Sequence, residues 1–269
     1  MALAQFKDLT IDAQDVEIVG TFWAKALGQE FSSDAGGGML QPGLDEPTSR
    51  TVWINQVAAA KTGKNRVHID VRVEGGRPET LGATVIREAD EEISWTVGAD
   101  PEGNELCVFD IDPEKEDQKP GLLALVVDSV DAIKQAAWWA DVLDGEVGHN
   151  DAGTEAWVTN AVGFPIENWI FITVPEAKDG TNRVHWDVEL AGPDAQGLVE
   201  AGATMLREPD DEISWWVLTD PEGNEFQAFP NAQAREQAAF GVSYLLPPSI
   251  DGTPPDIPLE DGAWPEDTP

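Results

Sequence analysis

Apolar and polar residues alternate from Phe6 to Ala13, the two-residue period of a strand with one wet face, so an edge-like strand is predicted there. Asp15 stands where a helix N-cap belongs. Val19, Phe22, Trp23, Ala26 and Leu27 then recur at helical spacing, and Gly28 ends the stripe. The same order returns in LLALVVDSVDAIKQAAWWADVLDG: Gln135 replaces Val19, and Trp138, Trp139, Val142 and Leu143 hold the remaining stripe positions. There Asp144 falls where Gly28 stood, and Gly145 follows. Beyond each helix the pattern breaks into short strands and turns, Gly36 to Gly38 among them, leading to strands at Thr51 to Val57 and Asn168 to Val174. Each half continues with an NRVH strand, a short helix ending in LGAT (Leu81 to Thr84) or AGAT (Ala201 to Thr204), and further strands. Asp100 to Gly103 and Asp220 to Gly223 both read DPEG, a turn signal that predicts a hairpin into the last strand.

These parallels form a duplication. READEEISWTVGADPEGNELC at Arg87 to Cys107 returns as REPDDEISWWVLTDPEGNEFQ at Arg207 to Gln227, an offset of 120 residues. KTGKNRVHIDVRV at Lys61 returns as KDGTNRVHWDVEL at Lys178, an offset of 117, so three residues are inserted between the two motifs in the second copy. A period this long is a domain, not a solenoid unit. The division is 1–110, a charged linker 111–119, 120–230, and a tail 231–269. In the tail, Asn231 to Phe240 suggest a helical arm, and an acidic, proline-rich run follows in which Trp264, Tyr244 and Leu245 are possible anchors.

Composition narrows the function. Fifty-one acidic against 16 basic residues give a net charge of -35, a field that repels nucleic acid and anionic lipid. Such a charge suits solubility or a saline medium, and equally a cationic ligand. One cysteine, Cys107, leaves no internal disulfide, and the apolar run Leu122 to Val127 is far too short to cross a bilayer. With no signal-like N-terminus, a cytoplasmic protein with no membrane or nucleic-acid partner is expected.

The FWAKALG helix, the Val174 to Asp187 run VPEAKDGTNRVHWD, the L-x-x-x-GAT segment and DPEGNE together resemble the glyoxalase-like domain of the vicinal oxygen chelate superfamily. That superfamily also holds bleomycin-resistance proteins and extradiol dioxygenases. The resemblance covers most of 6–109 and 121–229. It implies an α+β fold of two tandem vicinal oxygen chelate domains, each of two βαβββ modules forming a curved open-barrel sheet around a cleft. Metal-using members take ligands from the first strand, the strand after the midpoint and the last strand. Carried over by motif, this puts Asp8, His68 and Cys107 in the first domain's cleft and Ala124, His185 and Gln227 in the second's. Neither set is the usual His or Gln, His, Glu pattern.

On the NRVH strands, alternation sets Asp70 beside His68 and Asp187 beside His185 on one face. Glu105 and Cys107 on the last strand would join the first pair as a polar cluster that orients a ligand, or that simply holds two strands together. Of the 11 tryptophans, Trp23 and Trp139 belong to helix stripes and Trp186 to the face opposite His185. Trp53, Trp95, Trp169, Trp215 and Trp216 lie near the expected clefts, where an aromatic wall would stack a flat or cationic molecule, and of the adjacent pair Trp216 is taken as the inward one. Arg66, Arg183, Arg87 and Arg207 are expected to neutralise neighbouring acids such as Glu88 and Glu212. An acidic setting gives no reason to expect an activated Cys107 thiolate.

The expectation is therefore a small-molecule-binding protein with a cleft in each domain and an incomplete metal site, its ligand aromatic or cationic, with no cofactor expected. Ligand residues would be His68, Asp70, Trp53, Trp95 and Glu105 in one domain and His185, Asp187, Trp169, Trp216 and Gln227 in the other. The alternative is a metal-dependent lyase, isomerase or dioxygenase in the first domain only, its divalent ion held by Asp8, His68 and Cys107. Whether the related domains pair their sheets within the chain or across a homodimer is left open.

Overall fold

The computed structural model describes residues 1–231 apart from 35, 113, 116 and 117; the predicted arm and tail from 232 onward lie outside the described residues. Four modules of the βαβββ kind follow one another, the second with 3₁₀ turns in place of its helix. The first is β1 (Ala4–Ala13), α1 (Val16–Leu27), β2 (Glu30–Asp34), β3 (Gly37–Gln41) and β4 (Val52–Gln56). The second is β5 (Val67–Val73), β6 (Thr84–Arg87), β7 (Thr96–Ala99) and β8 (Glu105–Asp110). The third is β9 (Gly121–Ser129), α2 (Ala132–Leu143), β10 (Glu146–His149), β11 (Glu155–Thr159) and β12 (Asn168–Thr173). The fourth is β13 (Val184–Leu190), α3 (Gln196–Glu200), β14 (Thr204–Arg207), β15 (Trp216–Thr219) and β16 (Glu225–Phe229).

Both long helices begin as their sequences require. Asp15 accepts the Ile18 N–H and Asp131 the Lys134 N–H, and the left-handed residues that close them are Gly28 (φ 68°) and Asp144 (φ 53°). The short helix expected before LGAT is instead a pair of 3₁₀ turns, Glu74–Gly76 and Pro78–Thr80. Gly75 and Gly76 take positive φ there, so right-handed helical backbone does not run through them.

The modules pair crosswise. One eight-stranded sheet, here sheet A, runs β14-β15-β16-β13-β1-β4-β3-β2, and the other, sheet B, runs β10-β11-β12-β9-β5-β8-β7-β6. Each sheet takes one module from each half of the sequence, and neither closes into a barrel. The fold is α+β, two tandem domains dominated by mixed sheet, as expected. β1, read as edge-like, lies inside sheet A, antiparallel to β13 and parallel to β4. Its alternation comes from two differently covered faces: Leu9 and Ile11 point into the apolar core, and Asp8 and Thr10 are buried on the opposite, polar face.

One contiguous core joins the sheets and both long helices. Trp139 of α2 sits at ring-centroid distances of 5.3 Å from Trp169 on sheet B, 5.0 Å from Trp186 and 5.1 Å from Phe226 on sheet A. Burying such rings completely, in edge-on and tilted contacts, is a large apolar contribution that ties sheet A to sheet B. Among the described residues no helix is long and apolar enough to cross a membrane.

The DPEGNE turns fasten the crosswise arrangement. Asp100 and Asp220 accept backbone N–H groups of their own turns and the indole N–H of Trp23 and Trp139. Glu102 accepts the N–H groups of Gln14 (3.0 Å) and Asp15 (2.7 Å) and the Arg183 guanidinium (2.7 Å). Glu222 does the same for Val130, Asp131 and the Ser129 hydroxyl, with Arg66 at 3.4 Å. Arg66 and Arg183 thus pair with acids of the other half and not with sequence neighbours. Arg87 and Arg207 do bind local acids, Asp90 with Glu92 and Asp210 with Glu212.

Candidate functional sites on the two sheets

The pairing register decides which chemistry meets which. On sheet A, Asp8 lies opposite Asp187, Asp187 opposite Gln227, and Thr10 opposite His185. On sheet B, Ala124 lies opposite Asp70, Asp70 opposite Cys107, and Val126 opposite His68. The two ligand sets carried over by sequence half are therefore corrected by exchange: Asp8 stands with His185 and Gln227, and Ala124 with His68 and Cys107. The trio Asp8, His68 and Cys107 is split between sheets because β1 pairs with β13 and β5 with β9.

Both first strands carry a bulge at matching positions, Lys7 in β1 and Leu123 in β9, where the register slips by one residue. A bulge reverses the alternation. It is why Phe6 points into the core while, past the slip, Asp8 and Thr10 occupy the polar face.

On that face of sheet A, Asp8 Oδ2 accepts the Trp53 indole N–H at 3.0 Å and the Lys7 ammonium at 2.5 Å. The Thr10 hydroxyl donates to Asp187 Oδ2 at 3.4 Å. His185 Nε2 is 3.6 Å from Asp12 and its Nδ1 4.0 Å from Asp187. Asp8 Oδ1, Asp187 Oδ1 and His185 Nδ1 are buried without a hydrogen-bond partner. Burial drives the Asp187 carboxyl well above the usual carboxylate range; His185 opposes the rise and nearby Asp8 adds to it. Burial works against a charge on His185, yet Asp12, Asp187 and Glu225 outweigh it and raise the ring. Phe229 carries Lys7 Nζ 4.3 Å from its centroid on one side and stacks on Trp215 at 5.2 Å.

Sheet B is less charged at the matching positions. His68 Nε2 lies 3.4 Å from Asp70 and 3.8 Å from Cys107 Sγ, and one donor atom from each of the three residues falls within 4.8 Å of the others. Burial lowers His68 to about 4, raises Asp70 to about 7, and pushes the Cys107 thiol far up. A protonated, half-buried thiol is a poor nucleophile. Asp70 takes the place predicted for Asp8, and its Oδ1, the atom nearest His68, makes no well-aligned hydrogen bond. One imidazole, one carboxylate and one thiolate suit a borderline-soft ion such as zinc, so these residues fit a metal.

The remaining predicted residues divide. Trp95 stacks on Phe109 at 5.3 Å beside Cys107, and Trp53 is on the sheet A face. Glu105 is occupied by Lys61 (3.0 Å) and the Asn65 N–H, an anchor for the loop before β5. Trp169 is fully buried in the aromatic core, away from either polar face. Trp216 packs against the core, and its neighbour Trp215 takes the opposite face. Sequence reasoning missed Lys7, Thr10, Asp12 and Phe229, although three polar residues at alternate positions in a buried strand were a readable signal.

The repeated βαβββ frame, paired into two open mixed sheets, is that of the vicinal oxygen chelate class. A family model described as "Glyoxalase-like domain" matches residues 8–109 and 124–229, and the chain belongs to that family. Among solved structures it is similar to glyoxalase I from Zea mays, with TM-score 0.60 at 11% identity over 88% of this chain and 96% of that one. It is also similar to a dioxygenase-type protein from Bacillus subtilis subsp. subtilis str. 168, with TM-score 0.53 at 12% identity over 91% and 97%. Identities this low speak to fold alone. No curated protein matches the chain.

Proposed function

We propose that this protein binds small organic molecules, aromatic or cationic, on the polar faces of its two sheets, and that binding does not depend on a catalytic metal. The observation carrying this reading is that, of nine buried side-chain atoms making no hydrogen bond among the described residues, four gather on the polar faces: Asp8 Oδ1, Asp187 Oδ1 and His185 Nδ1 on sheet A, the last two 4.0 Å apart, and Asp70 Oδ1 on sheet B, 3.4 Å from His68. A buried polar atom without a partner costs about 1–3 kcal/mol, so several on two related faces favour a role that supplies partners. The negative field favours cations over anions as ligands. A cytoplasmic location is consistent with a single, unpaired cysteine.

The test is a thermal-shift screen with aromatic, basic and neutral compounds. A ligand at 100 times its Kd adds roughly 2.7 kcal/mol. Reproducible upward shifts from one chemical group support the reading; flat curves across all groups reject it.

A second reading is favoured by the sheet B trio. His68, Asp70 and Cys107 would hold a divalent ion, which when bound would supply Lewis-acid polarisation of a substrate's oxygens. His68 is already neutral, while Asp70 and Cys107 must give up protons, so binding would tighten as pH rises. Titration with cobalt tests it through thiolate-to-metal absorption in the near ultraviolet; no such band, or a band that survives Cys107→Ser, removes it.

A further inference from the structure

Comparing matched positions of the two copies separates the faces. Where sheet A carries Lys7, Asp8, Thr10 and Trp53 against Phe229, sheet B carries Leu123, Ala124, Val126 and Ile170 against Phe109. The sheet B residues pack together as a small apolar cluster apart from the main core. The copies have kept the aromatic ring on the last strand and exchanged the charge in front of it for hydrocarbon. Two faces with the same backbone frame therefore select different ligand chemistry.

Lys7 indicates what sheet A selects. Its ammonium lies 2.5 Å from Asp8 Oδ2 and 4.3 Å from the centre of the Phe229 ring, and the Trp53 indole donates to the same carboxylate oxygen. A carboxylate, a ring face and an ammonium between them is the arrangement that recognises an organic cation. The pair has not used up the site: around it Asp8 Oδ1, Asp187 Oδ1 and His185 Nδ1 are buried and answered by one another alone, the two carboxyls close enough to share a proton and His185 4.0 Å from Asp187. Lys7 is also the bulge residue, with a side chain about a quarter exposed (23%), so its ammonium has a path to water once another cation neutralises Asp8. Among the described residues the donor trio close enough to chelate an ion is on sheet B, which makes a metal a poor occupant of sheet A.

We propose that the polar face of sheet A binds an aromatic primary amine, its ammonium between Asp8 and Asp187 and its ring against Phe229 and Trp53, and that Lys7 is a built-in competitor the ligand displaces. The proposal rests on the small-molecule reading above and assigns it a ligand class and a face. Lys7 then sets a threshold: it holds Asp8 neutralised until an amine of better fit arrives.

Calorimetry on the full chain with protonated 2-phenylethylamine and its neutral counterpart 2-phenylethanol tests this. The amine should bind the unaltered protein more tightly than the alcohol. Lys7→Ala or Lys7→Met should tighten the amine by about tenfold, the equivalent of ~1.4 kcal/mol, and leave the alcohol within about twofold. Asp8→Asn should weaken the amine by at least about tenfold. Equal binding of amine and alcohol, or weaker amine binding on loss of Lys7, overturns the assignment. If neutral aromatics bind and the amine has no advantage, the cation assignment alone falls; if the whole thermal-shift screen is flat, the broader reading falls with it. Melting curves of each variant come first, and should Asp8→Asn not fold, the two Lys7 variants decide the matter.

Discussion

Removing the Glu102 carboxylate is the most informative single change to the frame that builds both faces. Glu102 receives two backbone N–H groups at the start of α1 and the guanidinium of Arg183, two residues before His185, which is itself nine-tenths buried. Glu102→Ala leaves that cation without its counter-ion and two amides without their acceptor. Breaking one partner of a buried ion pair costs about 3–5 kcal/mol, a large part of the 5–15 kcal/mol that a typical domain has. Glu102→Gln keeps one acceptor oxygen but puts an NH2 where the other oxygen took an N–H, and it removes the charge, so a loss smaller than that of Glu102→Ala is expected. Urea unfolding followed by the tryptophans of the aromatic core measures both, and a double-mutant cycle with Arg183→Ala isolates the pair. The matched change Glu222→Ala should cost less through its arginine, because Arg66 sits at 3.4 Å against 2.7 Å for Arg183. A Glu102→Ala protein within about 1 kcal/mol of the parent would refute the claim that this clamp holds the sheets together.

Other outcomes follow from the same geometry. Burial holds Asp70 at about 7, so the stability from its neutral form is complete below about 3.8 and lost as pH rises through 7; His68, lowered to about 4, contributes above 6.5 and loses that as pH falls through 4. The two slopes oppose each other between those limits. In chelator-treated protein, stability of Asp70→Asn relative to the parent should therefore grow by on the order of 4 kcal/mol from pH 4 to 8, and a pH-independent difference would contradict the assigned burial. Residues 1–110 expressed alone should not yield a folded monomer, because β1 lacks β13 and β5 lacks β9; sedimentation showing a compact monomer would count against the crosswise pairing. Gly163→Ala places a Cβ 2.4 Å from the Phe6 carbonyl oxygen at φ 82°, next to the Val162 contact with β1, and should lower stability by roughly 1–3 kcal/mol in the same urea assay.

Much of this architecture is written in local pattern. Asp15 and Asp131 start helices, DPEG turns lead into last strands, and two matched motif pairs declare a duplication, because caps, turns and alternation depend on neighbours along the chain. His68 with Asp70 and His185 with Asp187 were likewise set on shared faces by the strand period alone.

Which strand meets which was decided elsewhere. β1 and β9 carry the same pattern, as do β5 and β13, so alternation is satisfied equally by pairing within a half or across halves. The crosswise choice depends on contacts between residues of different halves, Arg183 with Glu102, Arg66 with Glu222, and Phe6 with Phe164 and Trp169. That choice moved Asp8 from His68 to His185 and set the Phe6 ring against Trp169. Register, bulge and burial are properties of neighbouring strands, and no single strand's sequence contains its neighbour.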